Sequence, residues 1–199
     1  MLSKKSFSSQ AAYQARAKHY VLYLRVPFDI HERQILDKTA IGVYEFNPKP
    51  KRQFWTYLTS GMSEKGQNPP SKKEIFTELL FYSREQSFWA VELLVRLSSY
   101  PFEYNEPFAP GDTLPLAGPI RPNSKLTSLL LLEPLLEHSG FQFMDISVKK
   151  VEILWALPIT ERERELIISG GDINFGELIS HALLPSLLDL DRDTLCTWV

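Results

Sequence analysis

The chain has 199 residues, 44% hydrophobic, 12% aromatic and 23% charged, with 22 Lys+Arg against 24 Asp+Glu. These values describe one globular domain with a full core and exclude wholesale disorder, collagen and coiled coil. No apolar run approaches the ~18 to 20 residues that would cross a bilayer, and the single cysteine, Cys196, leaves no intrachain disulfide or cysteine-based zinc cage, which favours a reducing, cytoplasmic setting.

Charge is unevenly placed. Residues 1–28 hold Lys4, Lys5, Arg16, Lys18 and Arg25 and no acid, so positions 29–199 hold 17 basic and 24 acidic residues, a net −7. An acidic body argues against nucleic acid as the direct ligand and suits a basic partner. The basic stretch lacks the apolar segment of a secretory signal. Ala11, Ala12, Ala15 and the run His19 to Tyr23 read as a surface helix, with a targeting segment as the alternative.

Ile41 to Phe46 and Gln53 to Thr59 are rich in β-branched and aromatic residues, and Asn47-Pro48-Lys49-Pro50-Lys51 between them predicts a hairpin. A turn-rich stretch follows from Ser60 to Lys73. Pattern alone leaves Ile75 to Tyr82 open: Ser71-x-x-Glu74 reads as a helix capping box, whereas Leu79-Leu80-Phe81-Tyr82 suits a strand buried on both faces. Trp89, Leu93, Leu97 and Tyr100 share one face of a helix over Gln86 to Tyr100, which Pro101 is expected to end.

Residues 101–125 carry six of the fourteen prolines and show no period. Connections this long are usually functional or disordered. Phe102, Tyr104 and Phe108 gain free energy by packing, which predicts an ordered loop laid against the sheet. Leu126 to Leu132 reads as a strand, and Val151 to Leu157 as a central strand stopped by Pro158. Thr160-x-x-Glu163 caps a short helix to Ile168, ended by Gly170 and Gly171. Asn174-x-x-Glu177 opens a second helix with Phe175, Leu178, Ile179, Ala182 and Leu183 on one face, up to Pro185. The sum is a mixed α+β domain.

Motifs for chemistry do not emerge. Neither G-x-x-x-x-G-K-[ST] nor G-x-G-x-x-G occurs, and Ser60-Gly61-Met62-Ser63 is not a G-x-S-x-G elbow. His19, His31, His138 and His181 lack H-x-x-x-H or H-E-x-x-H spacing and read as surface or core-edge residues. Glu161 and Glu165 share a helical face, where the dipole and the interleaved Arg162 and Arg164 explain them. Trp55, Trp89 and Trp155 read as core, and Trp198 as an exposed anchor. No catalytic residue, cofactor or metal is therefore assigned. Tyr104, Phe108, Asp112 and Arg121 are least explained by packing or capping, and binding residues concentrate on loops held by a rigid scaffold. The alternative is a loop that only covers the sheet.

Several stretches together carry a resemblance. Thr56-Tyr57-Leu58-Thr59-Ser60-Gly61-Met62-Ser63, Glu78-Leu79-Leu80-Phe81, Leu97-Ser98-Ser99-Tyr100-Pro101, Gly111-Asp112-Thr113-Leu114-Pro115, Leu129 to Leu132, and Leu157-Pro158-Ile159-Thr160 with Glu163 resemble, in order and spacing, the suppressor-of-fused-like domain over about residues 40–185. T-S-G-M-S is the strongest member of the set. The resemblance implies an α+β fold, a mixed, mostly antiparallel sheet flanked by helices, and makes Ile75 to Tyr82 a strand. It also implies a binding protein without a cofactor. Animal members sequester a zinc-finger transcription factor; free-standing bacterial members are inferred to be immunity proteins against polymorphic toxins. The partner-contacting tyrosine and acid of the animal members match Tyr100 and Asp112. Many bacterial relatives carry G-H-T-[IL]-P at the second site, where this chain has Asp112.

The expectation is a non-enzymatic, cytoplasmic protein-binding domain over 29–199, preceded by a basic arm or helix at 1–28. It meets a toxin domain or a regulator, and neither nucleic acid nor membrane, through Tyr100, Tyr104, Phe108, Asp112 and Arg121 beside a strand edge. A hydrolase using Asp112 with Glu103 or Glu106, and an adaptor docked by its basic arm, are the alternatives.

Overall fold

The computed structural model describes residues 5–34, 40–69, 74–170 and 184–195. Among the described residues eight strands make one sheet: β1 (Asp29–Gln34), β2 (Ala40–Phe46), β3 (Trp55–Ser60), β4 (Phe76–Ser83), β5 (Thr113–Pro115), β6 (Leu126–Leu132), β7 (Phe143–Ile146) and β8 (Lys149–Thr160). Their order is β1-β2-β3-β4-β8-β6-β5, with β7 also paired to β8. Only β4 and β8 run parallel; every other pair is antiparallel. Among the described residues three longer helices accompany the sheet: α1 (Lys5–Leu24), α2 (Phe88–Glu103) and α3 (Glu161–Ile168). The α+β architecture with a mostly antiparallel sheet is as expected.

The runs that are apolar at every position fold as strands covered on both faces. In β4, Leu79 and Phe81 enter one core cluster while Leu80 and Tyr82 enter the other. In β8, Ile153, Trp155 and Leu157 alternate in the same way with Leu154 and Ala156. Period two and burial on both sides together erase any polar alternation. Tyr20 and Leu24 of α1 cover one face, and Ala90, Val91 and Leu94 of α2 cover the other. The basic N-terminal helix is therefore a lid on the sheet, with Tyr20 fully buried and its hydroxyl donating to the Thr59 carbonyl at 2.7 Å.

Ile75 to Tyr82, left open by pattern alone, forms the strand that the family resemblance implied. Several other local expectations need correction. α2 runs through Pro101 to Glu103, because a proline in the last turn forfeits one intrahelical bond and Tyr104 N–H still closes the turn on the Tyr100 carbonyl at 3.0 Å. Residues 101–125 contribute β5 to the sheet edge as well as loop. β8 continues through Pro158 to Thr160; its pairing with β4 ends at Trp155, so the missing N–H is not needed on that side. The capping box of α3 forms, with Glu163 N–H on Thr160 Oγ1 and Thr160 N–H on Glu163 Oε2, and Gly170 follows at φ +78°. The helix expected at 174–183, Cys196 and Trp198 lie outside the described residues. Pro185 itself sits within a helical turn at Leu184–Leu187. Trp155 is fully buried as expected, whereas Trp55 and Trp89 are only partly buried against the core.

The T-S-G-M-S segment surrounds one carboxylate. Glu78 has no exposure. Its Oε1 accepts from Gly61 N–H at 3.0 Å, Ser63 N–H at 3.1 Å and Ser63 Oγ at 2.6 Å, and its Oε2 accepts from Thr59 Oγ1 at 2.7 Å. Arg16 of α1, itself buried, donates to Ser60 Oγ at 2.9 Å and lies 3.9 Å from Glu78. Gly61 has φ +122°, and a Cβ there would meet the Ala40 carbonyl at 2.5 Å, so only glycine fits this bend.

A second, partly buried carboxylate gives a pH-dependent prediction. Burial pushes the Glu137 carboxyl above its ordinary value of 4.5, against the pull of Arg52 at 3.6 Å and a bond from the Tyr82 hydroxyl at 3.1 Å. The folded state then holds this proton more tightly than the unfolded chain, so the contribution of Glu137 to stability is lost as pH rises through the raised pKa. Relative to Glu137→Gln, the parent protein is expected to gain stability between pH 7 and pH 5 in urea titrations. A difference that stays flat or reverses sign contradicts this.

Candidate functional site

α2 and the segment 113–120 leave between them an open groove of about 580 Å³. Trp89, Leu93, Leu97 and Tyr100 recur along α2, so the helix that fills the core also presents a margin of this stripe to the groove. The facing wall is β5 and its continuation, with Leu114, Leu116 and Ile120.

β5 is a sheet edge. Leu116 N–H donates to the Thr127 carbonyl and Leu131 N–H to the Asp112 carbonyl, each at 2.9 Å, so residues 112 and 116 aim their backbone at β6. Alternation then turns the backbone of Thr113 and Pro115 outward. Among the described residues no strand pairs with this outer side. Pro115, with no N–H, limits indiscriminate edge pairing while leaving its carbonyl available.

The aromatic end of the groove is built in layers. Phe108, only 2% exposed, lies beneath, and its N–H is held by Gln67 Oε1 at 2.8 Å. The Tyr100 ring stacks on it at 5.7 Å between centroids, and the Tyr104 ring, 61% exposed, lies 4.6 Å from Tyr100. The Tyr100 hydroxyl donates to Glu106 Oε2 at 3.0 Å; burial and this carboxylate both raise its pKa. Glu92, Glu103 and Glu106 stand along this side against Arg96.

The five residues singled out in the sequence therefore divide. Tyr100, Tyr104 and Phe108 come together, but Phe108 is an internal support and is not accessible as an anchor. Asp112 shapes its own turn: its Oδ2 accepts from Ala109 N–H at 2.7 Å and its N–H reaches the Ala109 carbonyl at 3.2 Å, with Gly111 at φ +93°. Arg121 lies outside the groove lining and pairs with Asp191, donating through Nε at 2.9 Å, where it ties the loop to the C-terminal segment. Sequence reasoning missed Leu114, Leu116 and Ile120 as groove residues, because spacing inside a proline-rich stretch carries no face assignment.

These features define an α+β domain with an open sheet edge beside a preformed groove, the layout of a protein-interaction domain. The chain belongs to the suppressor of fused family: the family model described as Suppressor of fused protein (SUFU) matches residues 37–193. Among solved structures, a protein described as a SUFU homologue from Neisseria gonorrhoeae FA 1090 superposes with a TM-score of 0.67 at 20% identity, over 95% of this chain and 97% of that one. The Sufu–Fu complex matches with a TM-score of 0.57 at 16% identity over 94% and 98%. Drosophila Suppressor of Fused matches with a TM-score of 0.56 at 18% identity over 78% of this chain and 42% of that one. At these identities the likeness shows the shared fold. No curated protein matches the sequence. No described helix is long and apolar enough to cross a membrane.

Proposed function

We propose that this chain is a cytoplasmic immunity protein that neutralises a toxin domain by gripping an extended segment of it. The segment adds to the outer side of β5 and lays side chains into the groove against Tyr100 and Tyr104. The observation that carries this reading is the outer edge of β5, which pairs with no strand among the described residues, beside a groove whose aromatic wall is already assembled. Main-chain pairing supplies affinity in such a mode, and pockets for alternate side chains supply specificity. Glu92, Glu103 and Glu106 favour a segment bearing lysine, arginine or amide donors, which raises encounter rates and selects partners. Asp112 supports the grip by holding the turn that leads into β5.

Coexpression with a toxin encoded beside this chain tests the reading. A 1:1 complex that survives size-exclusion chromatography and abolishes the toxin's activity is expected. A toxin that stays free and active in the presence of excess protein refutes it.

A further inference from the structure

We infer that the β1–β2 hairpin carries a binding site for a divalent transition-metal ion, formed by Asp29, His31 and Glu45. Register brings the three together. Asp29 on β1 is the direct cross-strand partner of Glu45 on β2, and His31 lies two residues along β1 on the same face. One ligand atom from each residue falls within 4.8 Å of the other two.

The spacing suits an ion of this class. Imidazole and carboxylate ligands bind such ions at about 2.0 to 2.2 Å, which places ligand atoms on one ion about 3 to 3.5 Å apart. His31 Nε2 is 3.8 Å from Asp29 Oδ2 and hydrogen-bonded to Glu45 Oε2 at 2.7 Å, so an ion enters by displacing that bond and spreading this pair by a few tenths of an ångström while Asp29 closes in. Two carboxylates and one imidazole form a mixed oxygen and nitrogen set that suits Zn²⁺ or Mn²⁺ in preference to thiolate-seeking ions. Asp29 is more than half exposed, so solvent can complete the coordination from that side.

The surroundings position the ligands. Gln86, from the turn before α2, donates to Glu45 Oε1 at 2.8 Å and fixes the buried carboxylate so that Oε2 faces His31. The Phe88 ring meets the His31 ring edge-on at 6.0 Å, and Asp29 Oδ1 accepts from Ile30 N–H at 2.8 Å. Two carboxylates paired directly across strands repel each other unless a cation lies between them. In the structure His31 reaches both, and a metal ion would take over that bridging role with its charge centred among all three. Asp29 and His31 precede the residues matched by the family model, whereas Glu45 lies within them.

The test is Zn²⁺ titration of the full chain by calorimetry, with Mn²⁺ binding followed by electron paramagnetic resonance. One site per chain is expected, with His31→Gln and Glu45→Gln abolishing it and Gln86→Ala weakening it by about tenfold. His138→Gln should leave it intact. Mn²⁺ should selectively broaden the His31 ring resonances, a readout that fold stability does not move. The proposal is overturned if the parent protein binds no more metal than His31→Gln, if His138→Gln removes the site, or if the His31 resonances are unaffected by bound Mn²⁺. Variants whose circular dichroism matches the parent make these comparisons valid, and the broadening experiment needs no variant at all.

Discussion

Replacing Glu78 with alanine is expected to destabilise the fold by about 4 kcal/mol, a large part of the ~5 to 15 kcal/mol available to a domain of this kind. The magnitude follows from what would be left behind. Gly61 and Ser63 N–H, the Ser63 hydroxyl and the Thr59 hydroxyl all donate to this carboxylate, and Leu79 N–H donates in turn to Thr59 Oγ1 at 2.7 Å. Each orphaned buried donor costs about 1 to 3 kcal/mol before relaxation. Arg16 keeps Glu64 Oε1 at 2.7 Å but loses its buried counter-ion. Glu78→Gln retains the shape and one acceptor oxygen while turning an amide N–H₂ toward other donors, so an intermediate loss is expected. Chemical denaturation of both variants measures the effect. A loss below about 1 kcal/mol for Glu78→Ala would mean that the segment around Gly61 holds its bend without the carboxylate.

That cluster also shows what the sequence could and could not disclose. T-S-G-M-S stood out as the most distinctive stretch, and its meaning is architectural: Thr59, Gly61 and Ser63 are the donor set of a glutamate 15 or more residues away. β6 and β8 were legible because burial on both faces writes long apolar runs, β2 and β3 because β-branched and aromatic residues flank a proline-rich turn, and the α3 capping box because its chemistry is local, whereas the apolar run of β4 fits a buried helix as well as a strand and pattern alone left it open. β1 was not legible. An edge strand pairs on one side only, so a polar sequence such as Asp29-Ile30-His31-Glu32 can occupy it without an alternating signature. The Asp29, His31 and Glu45 cluster was invisible for the same reason, since it depends on cross-strand register and not on spacing along the chain. The groove was half legible. Tyr104 and Phe108 stood out alike as loop aromatics lacking an explanation and Tyr100 entered through the family resemblance, but Phe108 is buried, because only the tertiary fold decides which ring of the stack lies underneath.

The division among those residues makes the partner-binding reading specific. Tyr104→Ala and Tyr100→Ala are each expected to weaken the toxin complex by about 30-fold or more, the equivalent of about 2 kcal/mol. Tyr104 is exposed and backed by Tyr100, which is fixed from below by Phe108 and from the side by Glu106, so both rings enter an interface with little rotamer entropy left to lose. Phe108→Ala would also reduce binding, but through a core cavity costing about 3 to 5 kcal/mol, which a drop in thermal midpoint separates from a contact effect. Arg121→Ala serves as the contrast. Its guanidinium faces Asp191 at the surface, away from the groove lining, so affinity should stay within about threefold of the parent. Titration calorimetry of the four variants against the same toxin domain reads all of this at once. If Tyr104→Ala binds normally while Arg121→Ala fails, the partner sits on the C-terminal side of the loop, where Arg121 and Lys125 meet Asp191 and Asp193, and the edge of β5 is not the grip.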